Sequence, residues 1–448
     1  MQKLTTSAAQ RSAALGRGLR AAVPRAAHAA WAPARDRADP LALVEATAAG
    51  RLAYLLPVRH ERMGENAFTF FRGTAMVMAA DLAATPVTGL LVQAAGDAHC
   101  LNFGGFATPE RNVIFDLNDF DETLPGPWEW DIKRLATSIA LAGRNAGLRV
   151  RDTDAATLAT VSAYCARMAD LAAMPALDVW YSRIDAAKIL DAAAEPDVRR
   201  RRARIVEHAA TQPIRSVVDK LTEVVGGTWR FRDDPPRLFH SQETDRTGFD
   251  IEAILDAYAA SLSDDIAHLY SRYHLIDHAI KVVGVGSVGT RCGIALLAAD
   301  DHDPLLLQIK EARESVLAKH LQPSVYASGG ERVVRGQRLI QHASDVFLGW
   351  ASSGKSDFYI RQFKDFKASA NLDGVDTAGL RAYGQVCAYA LAAAHARSGN
   401  AAAIAGYLGK SATFDRALLS FANTYADQAE RDFEQFSAAV AGREPAAA

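Results

Sequence analysis

The sequence predicts an α+β protein in which a small antiparallel β-rich part sits against a larger, mostly helical part. Residues 281–310 hold three apolar runs, Lys281-Val282-Val283, Cys292-Gly293-Ile294-Ala295-Leu296-Leu297 and Leu305-Leu306-Leu307-Gln308-Ile309-Lys310. A glycine-rich stretch and the polar turn Asp300-Asp301-His302-Asp303-Pro304 divide them, and connections this short join antiparallel strands. Residues 150–280 repeat apolar side chains at three- and four-residue steps, as at Leu158, Val161, Tyr164 and Cys165, and residues 371–448 return to that pattern.

Taken in order, residues 1–55 form an arm rich in Ala and Arg, with one amphipathic helix over 40–51. The arm lacks the compact apolar core and small-residue cleavage site of a secretory leader and reads as a loose extension. Residues 56–280 form a helical lobe carrying a short loop, Gly96-Asp97-Ala98-His99-Cys100-Leu101-Asn102, and an acidic cluster, Asp116-Leu117-Asn118-Asp119-Phe120-Asp121-Glu122. Trp130 opens a helix whose Asp131 is positioned to brace the loop. Pro235-Pro236 breaks the region, and Thr228-Trp229-Arg230-Phe231-Arg232 reads as a short extended piece. Residues 281–370 form the strand-rich lobe, with a strand pair over 345–350 and 357–363 and a helix over 332–344. Residues 371–448 complete the helical lobe.

A formal net charge of −2 argues against a nucleic-acid-coating protein, and the local run Arg199-Arg200-Arg201-Arg202-Ala203-Arg204 reads as a solvated helix face. Cys100, Cys165, Cys292 and Cys387 lie far apart with no C-x-x-C spacing, which favours a reducing compartment. No run approaches the roughly 18 to 20 apolar residues that span a bilayer. A cytoplasmic protein that engages neither membrane nor nucleic acid is expected.

Two segments carry chemistry. Asp97 is placed to accept a proton from an attacking hydroxyl and Asn102 to help ligate a metal, the division of labour in phosphoryl transfer. Asp and Asn also serve turns by bonding their own backbone. Four carboxylates within the seven residues of the acidic cluster repel one another unless a cation compensates, which suits Mg²⁺ or Mn²⁺. Spacing from Asn102 favours Asp116 as ligand, whereas the acidic-aromatic pair Asp119-Phe120 favours Asp119; Asp119 is preferred, with Asp121 and Glu122 available to a second ion. Downstream, Gly284-Val285-Gly286-Ser287-Val288-Gly289 is a G-x-G-x-x-G with a strand on both sides, where dinucleotide binding would need a helix. A flap over nucleotide phosphates, formed by Gly284, Gly286, Ser287 and Gly289 and reached by Lys310, fits better. Glu331, then Glu314, is the expected carboxylate partner of Lys310.

Together these segments resemble the protein kinase-like superfamily, and in particular its aminoglycoside and choline phosphotransferase branch, where a G-D-x-H-x-x-N loop is typical; His99 then braces the loop. The order is inverted, since Lys310 follows Asp97 in the chain, and the resemblance therefore implies a circularly permuted kinase-like fold. A histidine usually stands two residues before the aspartate, where this chain has Ala95. Helix 380–397, ending Leu391-Ala392-Ala393-Ala394-His395-Ala396, is similar to the one that precedes that loop. Nearly the whole chain also resembles a bacterial family catalogued as a domain of unknown function and grouped with the kinase-like fold. The stretches that carry this are Arg62-Met63, residues 68–73, 96–104, 118–123, 125–135 and 332–337. The resemblance implies an ATP- and Mg²⁺-dependent phosphotransferase acting on a hydroxyl of a small molecule. Transfer of an AMP group to a protein and a non-catalytic nucleotide-binding scaffold are the alternatives.

Overall fold

In the computed structural model, residues 7–185, 214–240, 249–282, 284, 286–300, 303–363 and 368–442 are described. The Arg199–Arg204 run lies outside them. The chain is a mixed α+β protein with antiparallel sheets.

The strands Cys292–Ala298 and Pro304–Glu311 are apolar along nearly their whole length because both faces are covered. They form the centre of a six-stranded antiparallel sheet. Its order is Gly349–Ser353, Ser356–Gln362, Pro304–Glu311, Cys292–Ala298, His274–Lys281, Leu238–Phe239. Ala295, Leu307 and Ile309 pack on one face against Ile251, Ile254 and Tyr258 of helix Ile251–Tyr258. Ile294, Leu296 and Leu306 pack on the other against Val217, Val218 and Phe231. Phe231 belongs to the hairpin Thr222–Val225/Thr228–Phe231, which turns on Gly226 and Gly227, both at positive φ. The helical periodicity of 150–280 thus gives way to β-structure before 281, at a Gly-Gly turn between β-branched residues.

The helix after Lys310's strand is Gly329–Ile340, three residues earlier than the sequence suggests, because the Ser328 side chain accepts from Glu331 N and starts the helix there. Its Val333, Val334 and Ile340 join the main core. That core is built on Trp128–Asn145, buried almost throughout, with Val150–Ala172, Thr377–Ser398 and Thr413–Ala441 around it. Small side chains in Thr377–Ser398 let it approach Val150–Ala172 closely; a Cβ on Gly384 would meet Thr160 Oγ1 at 2.1 Å.

The arm is docked. Helix Ala8–Leu19 lies on Ala401–Leu408 at Gly16, where a Cβ would strike the Ala403 carbonyl. Arg20 and Arg25 donate to the carbonyls of Gly406, Tyr407 and Leu408, capping the end of that helix. Arg37 bridges Asp81 and Asp432. Arg20, Arg25 and Arg37 therefore fasten an arm that the sequence reads as a loose extension.

Gly384→Ala is expected to destabilise the protein by about 1–3 kcal/mol through overpacking, measured as the shift of a urea unfolding midpoint. Burial, then the nearby Lys133, holds the His28 imidazole down at about 3. The unfolded chain therefore takes up a proton below pH about 6.5 that the folded one refuses. Stability should fall as the pH drops from about 6.5 towards 3, and His28→Gln should lessen that slope.

Candidate active site

The loop 96–102 is held from beneath by helix Trp128–Asn145. Asp131 accepts from the backbone N–H of Ala95 at 2.7 Å and of Gly96 at 3.0 Å, and His395 Nε2 lies 3.1 Å from it. Tyr164 fixes the other ring nitrogen of His395 at 2.8 Å. His395, from helix Thr377–Ser398, thus supports the loop where Ala95 cannot. Gly96 has φ of 80°, and a Cβ there would meet the Glu122 carbonyl at 2.4 Å, so the loop touches the acidic turn only because this residue is glycine.

One turn further along the same helix, Arg134 Nε donates to Asp97 Oδ1 at 2.5 Å while its NH2 holds the Phe71 carbonyl. Burial raises the Asp97 carboxyl, and Arg134 opposes this only in part. Asn102 Nδ2 donates to the Asp97 carbonyl at 2.7 Å, which leaves its amide oxygen for another partner. Burial, then Arg72 and Arg134, keeps His99 neutral; its Nε2 is 3.9 Å from Asp97. Burial pushes the Cys100 thiol up to about 11, so it packs rather than reacts.

Across the cleft, Lys310 Nζ is 2.8 Å from Asp121 Oδ2 and 3.9 Å from Asp119 Oδ2. Tyr359 OH donates to Asp121 Oδ1 at 2.6 Å and Ser287 Oγ to Oδ2 at 3.3 Å. Burial alone would raise Asp121 and lower Lys310. Their mutual attraction reverses both, holding the carboxyl below its usual range and the ammonium well above its own. Arg332 ties the acidic turn to the sheet side through the carbonyls of Thr123, Asp121 and Arg313.

The glycine-rich segment is a hairpin between His274–Lys281 and Cys292–Ala298. The end of the arm and the helix after it clasp it: Leu52 N donates to the Gly289 carbonyl, Arg51 to those of Gly286 and Val288, and Arg62 to that of Gly284.

These parts enclose a cleft of about 270 Å³. Asp97, His99, Asn102, Asp119, Asp121, Gly284, Gly286 and Ser287 all line it. Four sequence candidates do not line it: Gly289 is held by the Leu52 N–H, Lys310 is buried behind Asp121, and Asp116 and Glu331 fall elsewhere. Asp116 is fully buried and accepts from the His342 backbone N–H and ring Nδ1, and Glu331 reaches Arg335 at 3.4 Å instead of Lys310. The partner of Lys310 comes from the acidic turn, which lies before it in the chain. Arg51, Arg72 and Arg313 form a basic wall that sequence reasoning missed. Arg134, three residues from Asp131 on the same helix face, is a second side chain aimed at the loop that sequence reasoning also missed.

Fold and site together define an α+β protein with a charged cleft lined by the loop 96–102, an acidic turn and a glycine-rich hairpin. Over residues 51–439 the chain matches the model of a family described as an uncharacterized protein conserved in bacteria (DUF2252), and it belongs to that family. No curated protein and no solved structure matches it. Among the described residues no helix is long and apolar enough to cross a membrane.

Asp131→Ala would leave two buried amides without acceptors, a loss of about 1–3 kcal/mol; urea unfolding measures it.

Proposed function

We propose that the protein is an ATP- and Mg²⁺-dependent phosphotransferase of permuted kinase-like architecture, acting on a hydroxyl of a small molecule. The observation that carries this reading is the pairing of Lys310 Nζ with Asp121, and its approach to Asp119, at the edge of a cleft that both carboxylates line together with Asp97 and Asn102. The order of parts supports it: a glycine hairpin, a lysine on the third strand and a helix, with the loop, an antiparallel strand pair (Phe103–Ala107, Val113–Leu117) and the acidic turn provided by the N-terminal half.

Among the described residues no three His, Cys, Asp or Glu side chains form a ready metal cage. Mg²⁺ does not require one, since it is commonly held by one or two carboxylates plus phosphate oxygens. The Asn102 amide oxygen and Asp119 are donors of the right kind; Mn²⁺ suits the same pair. Mg²⁺, when bound, neutralises charge on the phosphate oxygens. The protein's residues do the rest. Lys310 and the Gly284–Gly289 hairpin position the triphosphate and keep water from it. Asp97 takes the acceptor's proton as the acceptor oxygen bonds to the γ-phosphorus, and the bond from that phosphorus to the bridging oxygen breaks, releasing ADP.

One observation favours a second reading, AMP transfer to a protein. On Lys310's face of the sheet, Leu306, Ile294 and Leu296 are covered by Val217, Val218 and Phe231, so the open space lies towards Arg51, Arg72 and Arg313. An inverted nucleotide, with its base outward, fits that shape. Mass spectrometry of products separates an added phosphate from an added adenylyl group.

Asp97→Asn is expected to lower transfer by about 10²–10⁴-fold while MgATP still binds. Lys310→Ala should weaken MgATP binding, read by thermal shift, where a ligand at about 100 times its dissociation constant adds about 2.7 kcal/mol of stability. Unchanged MgATP affinity in Lys310→Ala would remove the lysine from the nucleotide site, and no stabilisation of the unmodified protein by any nucleotide would end the phosphotransferase reading.

A further inference from the structure

Arg72 stands apart from the other arginines of the cleft. Arg51 and Arg313 spend their guanidinium groups on backbone carbonyls, and Arg134 on Asp97 and the Phe71 carbonyl. Among the described residues, no hydrogen bond or ion pair holds the Arg72 guanidinium, which lies 5.8 Å from the Phe68 ring centre; its Nε is enclosed and has no acceptor. Arg72 is partly buried, and Asp97 and Glu65 act on it by charge alone without a hydrogen bond, so a desolvation cost is left that a directly bound anion would offset. The surroundings point the same way. His99, 4% exposed and also lining the cleft, has an Nδ1 with no partner. Helix Ala75–Leu82 begins at the cleft, and no side chain caps it because Thr74 Oγ1 is bonded to the Phe70 and Phe71 carbonyls. Its first amides add a partial positive charge beside Arg72.

We infer that Arg72, with His99 and the start of helix Ala75–Leu82, binds an anionic group of the acceptor, so that the acceptor is a hydroxyl compound bearing a phosphate or carboxylate. The inference rests on the phosphotransferase reading in giving Asp97's side of the cleft to the acceptor, whereas the anion site itself stands on Arg72. Two fixed points, the anion on Arg72 and the hydroxyl at Asp97, would orient such a substrate, and neutral sugars or amino alcohols would lack the first.

Inorganic phosphate is the probe. It is titrated calorimetrically into the full chain, into Arg72→Gln and into Arg72→Lys, each with and without saturating Mg²⁺ and a non-hydrolysable ATP analogue. Phosphate should bind the unmodified protein in the presence of the analogue. Arg72→Gln should weaken it at least tenfold, and Arg72→Lys should fall between, since lysine keeps the charge and loses the two-pronged geometry. Unchanged phosphate affinity in Arg72→Gln overturns the inference. So does loss of phosphate binding once the analogue is bound, which assigns Arg72 to the triphosphate. If the analogue itself fails to bind, the phosphotransferase reading falls, and the titration without it still reports on Arg72. Should Arg72→Gln fail to fold, phenylglyoxal labelling of the unmodified protein decides: phosphate must protect Arg72, and labelling indifferent to phosphate refutes the site.

Discussion

The ion pair between Lys310 and Asp121 is the constraint on which the rest of the molecule depends. It joins a central strand of the sheet to a turn that lies on the helical body, and the lysine is withdrawn from water to make it while Asp121 keeps an edge on the cleft. Such a pair gains little over an apolar contact, yet losing either member is severe because the other is left buried and uncompensated. Tyr359 and Ser287 complete the coordination of the carboxylate, and Arg332 secures the backbone of the same turn. The cleft exists at its observed width because these contacts set how near the sheet comes to the loop.

A second layer of support comes from the helix Trp128–Asn145. Asp131 holds the loop backbone and Arg134 holds the loop's carboxylate, while His395 and Tyr164 fix Asp131 from helices on either side. Loop, brace and counter-brace thus come from three separated parts of the sequence. Their burial in one core explains how polar groups are kept in defined positions where rearrangement would cost hydrogen bonds.

Much of this could be read from the chain. The two central strands are legible because both of their faces are covered, which leaves uninterrupted apolar runs, and Lys310 is legible because a charge ending such a run needs a reason. Asp119 is legible from its aromatic neighbour, whereas the spacing argument for Asp116 misleads: that carboxylate is absorbed by His342, a contact with no local signature. Glu331 fails for a local reason, since its helix starts at Ser328 and turns the side chain towards Arg335. Of the hairpin at Thr222–Phe231 the second strand is read as an extended piece, whereas the first is missed because helical periodicity around it outweighs a Gly-Gly turn. Arg72, Arg134 and Tyr359 are invisible beforehand because their importance lies in partners, or the lack of one, set by the tertiary fold.

The clasp on the glycine hairpin has a consequence for the shape of the cleft. Four carbonyls of that hairpin are gripped by Arg51, Leu52 and Arg62, and Arg51 also forms part of the cleft wall. The hairpin and its fastening therefore belong to stretches far apart in the chain, and a change at Arg51 alters the hairpin's tether and the cleft wall together.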